Sequence, residues 1–224
     1  MNNIKVKADM PDYADQLIDP RHPVGIFDFL RPCAESQLLA DFVHINTGDR
    51  VLDVGCGSGY LTLFLAWRFP RCSEVIGVDI NQDLIIQAKK NSQIIQQQVK
   101  HITPAIRFIS SDIKSLTGFD NNIDVLVSNP PFFDADAGRA AKSRQRRQAR
   151  QDVTLTLSKL IHSAARLLKD DGRFYMVIPS MRISELESAI NDGGMSIHNI
   201  HSCPDIRKRS GGISLIEIIN RVQS

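Results

Sequence analysis

The stretch RVLDVGCGSGY, residues Arg50–Tyr60, decides the fold. A short apolar run carrying Asp53 reads as a β-strand. It gives way to alternate glycines, Gly55, Gly57 and Gly59, after which apolar residues resume at helical spacing with Ser58 in position to cap the helix. Glycine turns where other residues cannot, and without a Cβ it admits a ligand closer than any side chain would allow. Strand, glycine-rich turn and helix in that order make the opening unit of an open parallel sheet, and a cofactor is expected against the turn. A dinucleotide cradle would place its third glycine at position 60, where Tyr60 stands, so the pyrophosphate reading fits less well.

Working outward, β-branched runs alternate with helical segments. Strands are expected over EVIGVDI (74–80), AIRFISSD (105–112), NIDVLVSN (122–129) and RFYMVIP (173–179), with MSIHNIHS (195–202) and GISLIEIIN (212–220) pairing last. Helices are expected between them over QDLIIQAKKNSQIIQQQV (82–99), TLTLSKLIHSAARLLK (154–169, stopped by the following DDG) and RISELESAIN (182–191). The predicted architecture is α/β: a seven-stranded, mostly parallel Rossmann-like sheet with helices on both faces and an antiparallel last strand. Pro11, Pro20, Pro23 and Pro32 break the chain before Asp41 into pieces of which only AESQLLADFVH (34–44) has a helical pattern. Residues 1–40 are therefore read as an amino-terminal appendage to a main domain over 41–224.

Composition narrows the class. The 224 residues carry 27 Lys and Arg against 25 Asp and Glu, a formal charge of +2, so attraction to nucleic acid has to come from local clustering. Cys33, Cys56, Cys72 and Cys203 are scattered, without a C-x-x-C pair or a His at ligand spacing, which predicts reduced thiols and no metal site. With no apolar run long enough to cross a bilayer, a cytoplasmic protein is expected.

The D-x-G-x-G-x-G spacing over Asp53–Gly59 resembles the first motif of S-adenosylmethionine-dependent methyltransferases. Two further acids fall at the ends of the next strands. Asp79 could accept hydrogen bonds from both hydroxyls of a ribose, and Asp112 could meet an adenine amino group, with Ile80 and Ile113 flanking the ring.

The fourth strand runs into SNPPFF (128–133). The lone pair of an exocyclic amine is delocalised into its ring, which makes it a poor nucleophile. The side-chain oxygen of Asn129 and the carbonyl of Pro130 can each accept one N–H, favouring a pyramidal nitrogen whose lone pair faces the methyl donor. Pro130 and Pro131 fix φ and hold the residue before each of them extended, so the acceptors are set before the substrate arrives. Phe132 offers a face for a planar group to stack on.

Asn-Pro-Pro-aromatic at this place resembles the motif of methyltransferases acting on planar amino nitrogens. With GIFDF (25–29), SQLLADFV (36–43) and the basic segment after NPPFF, the chain is similar to the bacterial tRNA1(Val) adenine-N6 methyltransferase family. That resemblance implies a catalytic domain over 41–224, S-adenosyl-L-methionine as cofactor, and methylation of adenine N6 in tRNA. Guanine N2 or adenine N6 in rRNA, and a glutamine amide on a protein, remain open as acceptors; a cofactor-binding subunit without activity of its own is the weakest reading.

Between 138 and 150 stand Arg139, Lys142, Arg144, Arg146, Arg147 and Arg150 without one acid, the pattern of phosphate contacts to RNA. A solvated basic loop would have the same composition. The sequence leaves the oligomeric state open.

Overall fold

The computed structural model describes Phe27, Leu30, residues 33–99, Ile102, residues 104–130, residues 156–203 and residues 212–220. Its strands are β1 (Arg50–Val54), β2 (Glu74–Asp79), β3 (Ala105–Ser110), β4 (Ile123–Ser128), β5 (Leu168–Pro179), β6 (Met195–Cys203) and β7 (Ile213–Asn220). They form one sheet in the order β3-β2-β1-β4-β5-β7-β6. Neighbours from β3 through β5 run parallel, and β7 alone is antiparallel to both β5 and β6. The predicted sheet, including its single reversed strand, is the one observed.

Helices α1 (Ala34–Phe42), α2 (Tyr60–Arg68) and α3 (Gln82–Gln98) cover one face; α4 (Leu157–Leu167) and α5 (Ile183–Asp192) cover the other. The period-two alternation of a strand sorts the core. Val51, Val75, Val125 and Val127 point to the first face, and Leu52, Ile76, Leu126 and Phe174 to the second. Because both faces are covered, the central strands are apolar at nearly every position. Helix α1 straddles the expected boundary at residue 40, and its Leu38, Leu39 and Ala40 are buried in the same core as Phe64 and Val177.

Two local readings are corrected. Ser58 does not cap α2. Gly59 occupies the cap position at φ 93° with no side-chain hydrogen bond, while the Ser58 carbonyl accepts from Asn91 Nδ2 at 2.8 Å. The turn needs a left-handed residue just before the helix, and glycine takes that conformation without strain. Helix α4 stops at Leu167, and β5 begins at once, with a register shift between Ile123 and Val125 where Asp171 adopts φ 59°. The DDG signal marks this irregularity and not the end of the helix.

At the start of the parallel strands Glu74 pairs with Arg50 at 2.9 Å and with Arg107, and both guanidinium groups lie over the Phe119 ring, 5.1 and 5.5 Å from its centroid. Charge and aromatic contact together tie β1, β2 and β3 at the end away from the glycine turn.

Candidate functional site

Parallel pairing sets the strand ends side by side. Val54 is in register with Val78 on one side and Ser128 on the other, so Gly55, Asp79 and Asn129 leave three adjacent strands at one level. The Ser128 hydroxyl donates to the Val54 carbonyl at 2.8 Å, and the Gly55 and Cys56 N–H groups donate to the Val78 carbonyl at 2.8 and 3.1 Å. The floor of the site is thus fixed by hydrogen bonds to main-chain carbonyls that join β1 to β2 and to β4.

The glycines divide by task. All three have positive φ: 76° at Gly55, 55° at Gly57 and 93° at Gly59. A Cβ on Gly59 would meet Phe108 Cζ at 3.0 Å and Ala88 at 3.1 Å, so this glycine lets the turn pack against α3 and β3. A Cβ on Gly55 or Gly57 would meet nothing within 4 Å. Those two therefore border open space above the strand ends, the space a bound group would take.

Three acids stand near the carboxyl ends of β1, β2 and β3, and each fixes the chain locally. Asp53 is 1% exposed and accepts from the Thr62 hydroxyl at 2.6 Å. Burial pushes its carboxyl up to about 7, opposed by the Thr62 hydrogen bonds. It joins β1 to α2 beneath the turn. Asp79 accepts from the Gly57 N–H at 2.9 Å through one oxygen and from the Asn81 N–H at 2.8 Å through the other. Each oxygen keeps further acceptor capacity for a diol. Asp112 accepts from the Lys114 N–H at 2.9 Å, capping the short 3₁₀ turn Ile113–Ser115, and pairs with the Lys114 ammonium at 3.1 Å.

The two isoleucines expected to flank a ring are placed differently. Ile80 is 51% exposed, an apolar surface beside Asp79, whereas Ile113 is 3% exposed and packs inward with the cluster that holds Leu116 and Phe119. Only Ile80 offers an open face.

At the end of β4 the Asn129 side chain is half-buried and Pro130 is buried. The Asn129 Nδ2 group donates to Ser36 Oγ at 2.8 Å and to Cys33 Sγ at 3.3 Å, both at the start of α1. Sequence reasoning missed these partners, because nothing in their spacing connects residues more than ninety positions apart. Pro131, Phe132 and the basic residues Arg139, Lys142, Arg144, Arg146, Arg147 and Arg150 lie outside the described residues.

All four cysteines are free, and burial raises the Cys72 thiol to about 11. Among the described residues no group of three His, Cys, Asp or Glu could hold a metal ion, and no helix is long and apolar enough to cross a membrane.

Comparison with known proteins agrees with this geometry. The chain is 35% identical over 146 residues to the tRNA1(Val) (adenine(37)-N6)-methyltransferase of Proteus mirabilis, covering 65% of this chain and 55% of that protein. It is 30% identical over 179 residues to the protein of the same name from Photorhabdus laumondii, covering 79% and 69%. The chain thus spans about half the length of several of the curated relatives it matches. Among solved structures it superposes on a TehB-like SAM-dependent methyltransferase from Corynebacterium glutamicum, with a TM-score of 0.54 at 17% identity over 84% of this chain and 87% of that one. It also superposes on TrmN from Thermus thermophilus, with a TM-score of 0.59 at 19% identity over 84% and 48%. At that identity these two establish the fold alone. The family model for the methyltransferase small domain matches residues 21–192, and the chain belongs to that family.

Proposed function

We propose that this protein is an S-adenosylmethionine-dependent RNA methyltransferase acting on the exocyclic amine of a base, adenine N6 in tRNA. The observation that carries the reading is the placement of Asn129 and Pro130 at the end of β4, level with the open glycine turn at the end of β1. Family membership and the names of the relatives support it.

The residues present fit the cofactor. Gly55 and Gly57 keep the space above β1 clear of Cβ atoms, Asp79 retains acceptor capacity for ribose hydroxyls, and Ile80 exposes an apolar face for a purine. Asp112 stands at the adjoining strand end, where it can accept from an amino group. When bound, the cofactor supplies an electrophilic methyl on a sulfonium.

The chain's own contribution is orientation. The Asn129 carbonyl oxygen and the Pro130 carbonyl each accept one N–H of the target amine, so the nitrogen becomes pyramidal and its lone pair turns toward the glycine side. Both acceptors follow directly from a buried strand, so little ordering is left to occur on binding. Phe132 supplies the stacking face for a base turned out of its helix, and the cations from Arg139 to Arg150 meet the phosphates around it. The excess proton leaves the methylated nitrogen for solvent; no general base with a tuned pKa is required before transfer.

Asn129→Ala tests this assignment. Methyl transfer is expected to fall by at least about a hundredfold, the scale of losing one aligned hydrogen-bonding group, while S-adenosylmethionine binds as before. Turnover retained in the variant would overturn the role given to Asn129.

A further inference from the structure

An asparagine amide can face either way, and the two orientations have opposite chemistry. With the carbonyl toward the target amine Asn129 accepts one of its N–H bonds; with the NH₂ group there it would place donor against donor. Rotation of the terminal amide exchanges the two, so something must select one.

We infer that Ser36, assisted by Cys33, is the positioning group that selects the productive orientation of the Asn129 amide. This rests on the role proposed for Asn129 above. The Nδ2 group has two N–H bonds and two acceptors in reach, Ser36 Oγ at 2.8 Å and Cys33 Sγ at 3.3 Å, and the carbonyl arm therefore points away from α1. Ser36 Oγ also lies 3.2 Å from Cys33 Sγ, so the hydroxyl hydrogen can go to sulfur and leave the oxygen lone pairs for the amide. A flipped carbonyl could accept from the Ser36 hydroxyl only by taking its hydrogen away from Cys33, which leaves the weak thiol as the one further donor in the cluster, whereas the observed orientation uses both amide N–H bonds and the hydroxyl hydrogen.

The support is rigid. Ser36 is in the first turn of α1, its N–H bonded to the Cys33 carbonyl at 3.1 Å. The helix is anchored by the buried Leu38, Leu39 and Ala40, by Arg68 donating to the Ala40 carbonyl at 3.2 Å, and by the Arg68–Asp41 ion pair. The start of α1 is thereby made part of the catalytic apparatus without touching the reacting atoms. Its task is to hold an acceptor toward any planar amine, whichever macromolecule carries it.

The test joins an orientation measurement to a rate. In nuclear magnetic resonance spectra of the full chain, the Asn129 side-chain NH₂ signals are assigned by their disappearance in Asn129→Asp. Cross-relaxation from these protons to the β protons of Ser36 and Cys33 is expected in the wild type. In Ser36→Ala the signals should shift and exchange faster with water. The same variant should lose about tenfold in kcat for methyl transfer with KM for S-adenosylmethionine and melting temperature unchanged, and Ser36→Thr should restore kcat to within about twofold. Absence of the cross-relaxation, a Ser36→Ala enzyme as fast as wild type, or failure of Ser36→Thr to rescue would overturn the inference. The two readings fail separately: cross-relaxation in a protein that transfers no methyl to RNA refutes the RNA reading and leaves the amide orientation standing. RNA methylation without cross-relaxation refutes the positioning role alone.

Discussion

Alanine at Gly57 and at Gly77 should damage the protein in opposite ways. Gly57 has φ 55°, which costs an L-residue roughly 1–2 kcal/mol, but its Cβ would meet no atom within 4 Å. The stability loss should stay near that figure, a fall in melting temperature of about 2–8 °C for a chain of this size. The added methyl group would instead stand in the space assigned to the cofactor and should weaken S-adenosylhomocysteine more than about tenfold, or about 1.4 kcal/mol. At Gly77, in the interior of β2, a Cβ would meet Phe108 Cδ1 at 2.7 Å and the Thr62 hydroxyl oxygen at 2.8 Å. Overpacking of that kind costs about 1–3 kcal/mol and should appear in the melting temperature, with the folded protein still binding the ligand. Calorimetric titration with S-adenosylhomocysteine and a thermal melt of each variant separate the cases. Wild-type affinity in Gly57→Ala would refute the assignment of the open side of the turn to the cofactor.

Three further outcomes are expected. Because the folded pKa of Asp53, about 7, lies above its ordinary 3.8, the folded state holds a proton that the unfolded chain releases in between. That contribution is complete below about 4 and is lost as pH rises to about 7; Asp53→Asn should flatten this part of the stability profile and melt higher than wild type at pH 8, as pH-dependent melts would show. Glu74→Ala should cost about 1–2 kcal/mol in denaturant unfolding by leaving Arg50 on β1 and Arg107 on β3 facing each other across β2. Replacing Arg144 and Arg146 together by Ala should reduce the slope of log affinity for tRNA against log salt by about one to two, measured by fluorescence anisotropy, with little change in cofactor affinity.

Much of this was readable before the fold was seen, for physical reasons. Strand, turn and helix around Asp53–Tyr60 are written in local chemistry, because glycine takes the positive φ values at 55, 57 and 59 without strain. Asp79 and Asp112 were legible because the end of a parallel strand is where the chain must turn, and each acid does bind turn N–H groups there. What was hidden depends on packing. Ile113 has the same local signal as Ile80, and only burial tells the inward side chain from the outward one. Ser58 carried a good capping signal, yet Gly59 and the distant Asn91 determine how α2 starts. The link from Asn129 to Ser36 and Cys33 is a tertiary contact with no periodicity or motif to announce it.

The central claim is tested most directly by incubating the protein with methyl-labelled S-adenosylmethionine and separate pools of bacterial tRNA, rRNA and total protein, followed by nucleoside and amino-acid analysis. The account predicts label in tRNA, recovered as N6-methyladenosine and abolished in Asn129→Ala. Label confined to protein as a methylated glutamine amide, or no label in any pool despite cofactor binding, would contradict it.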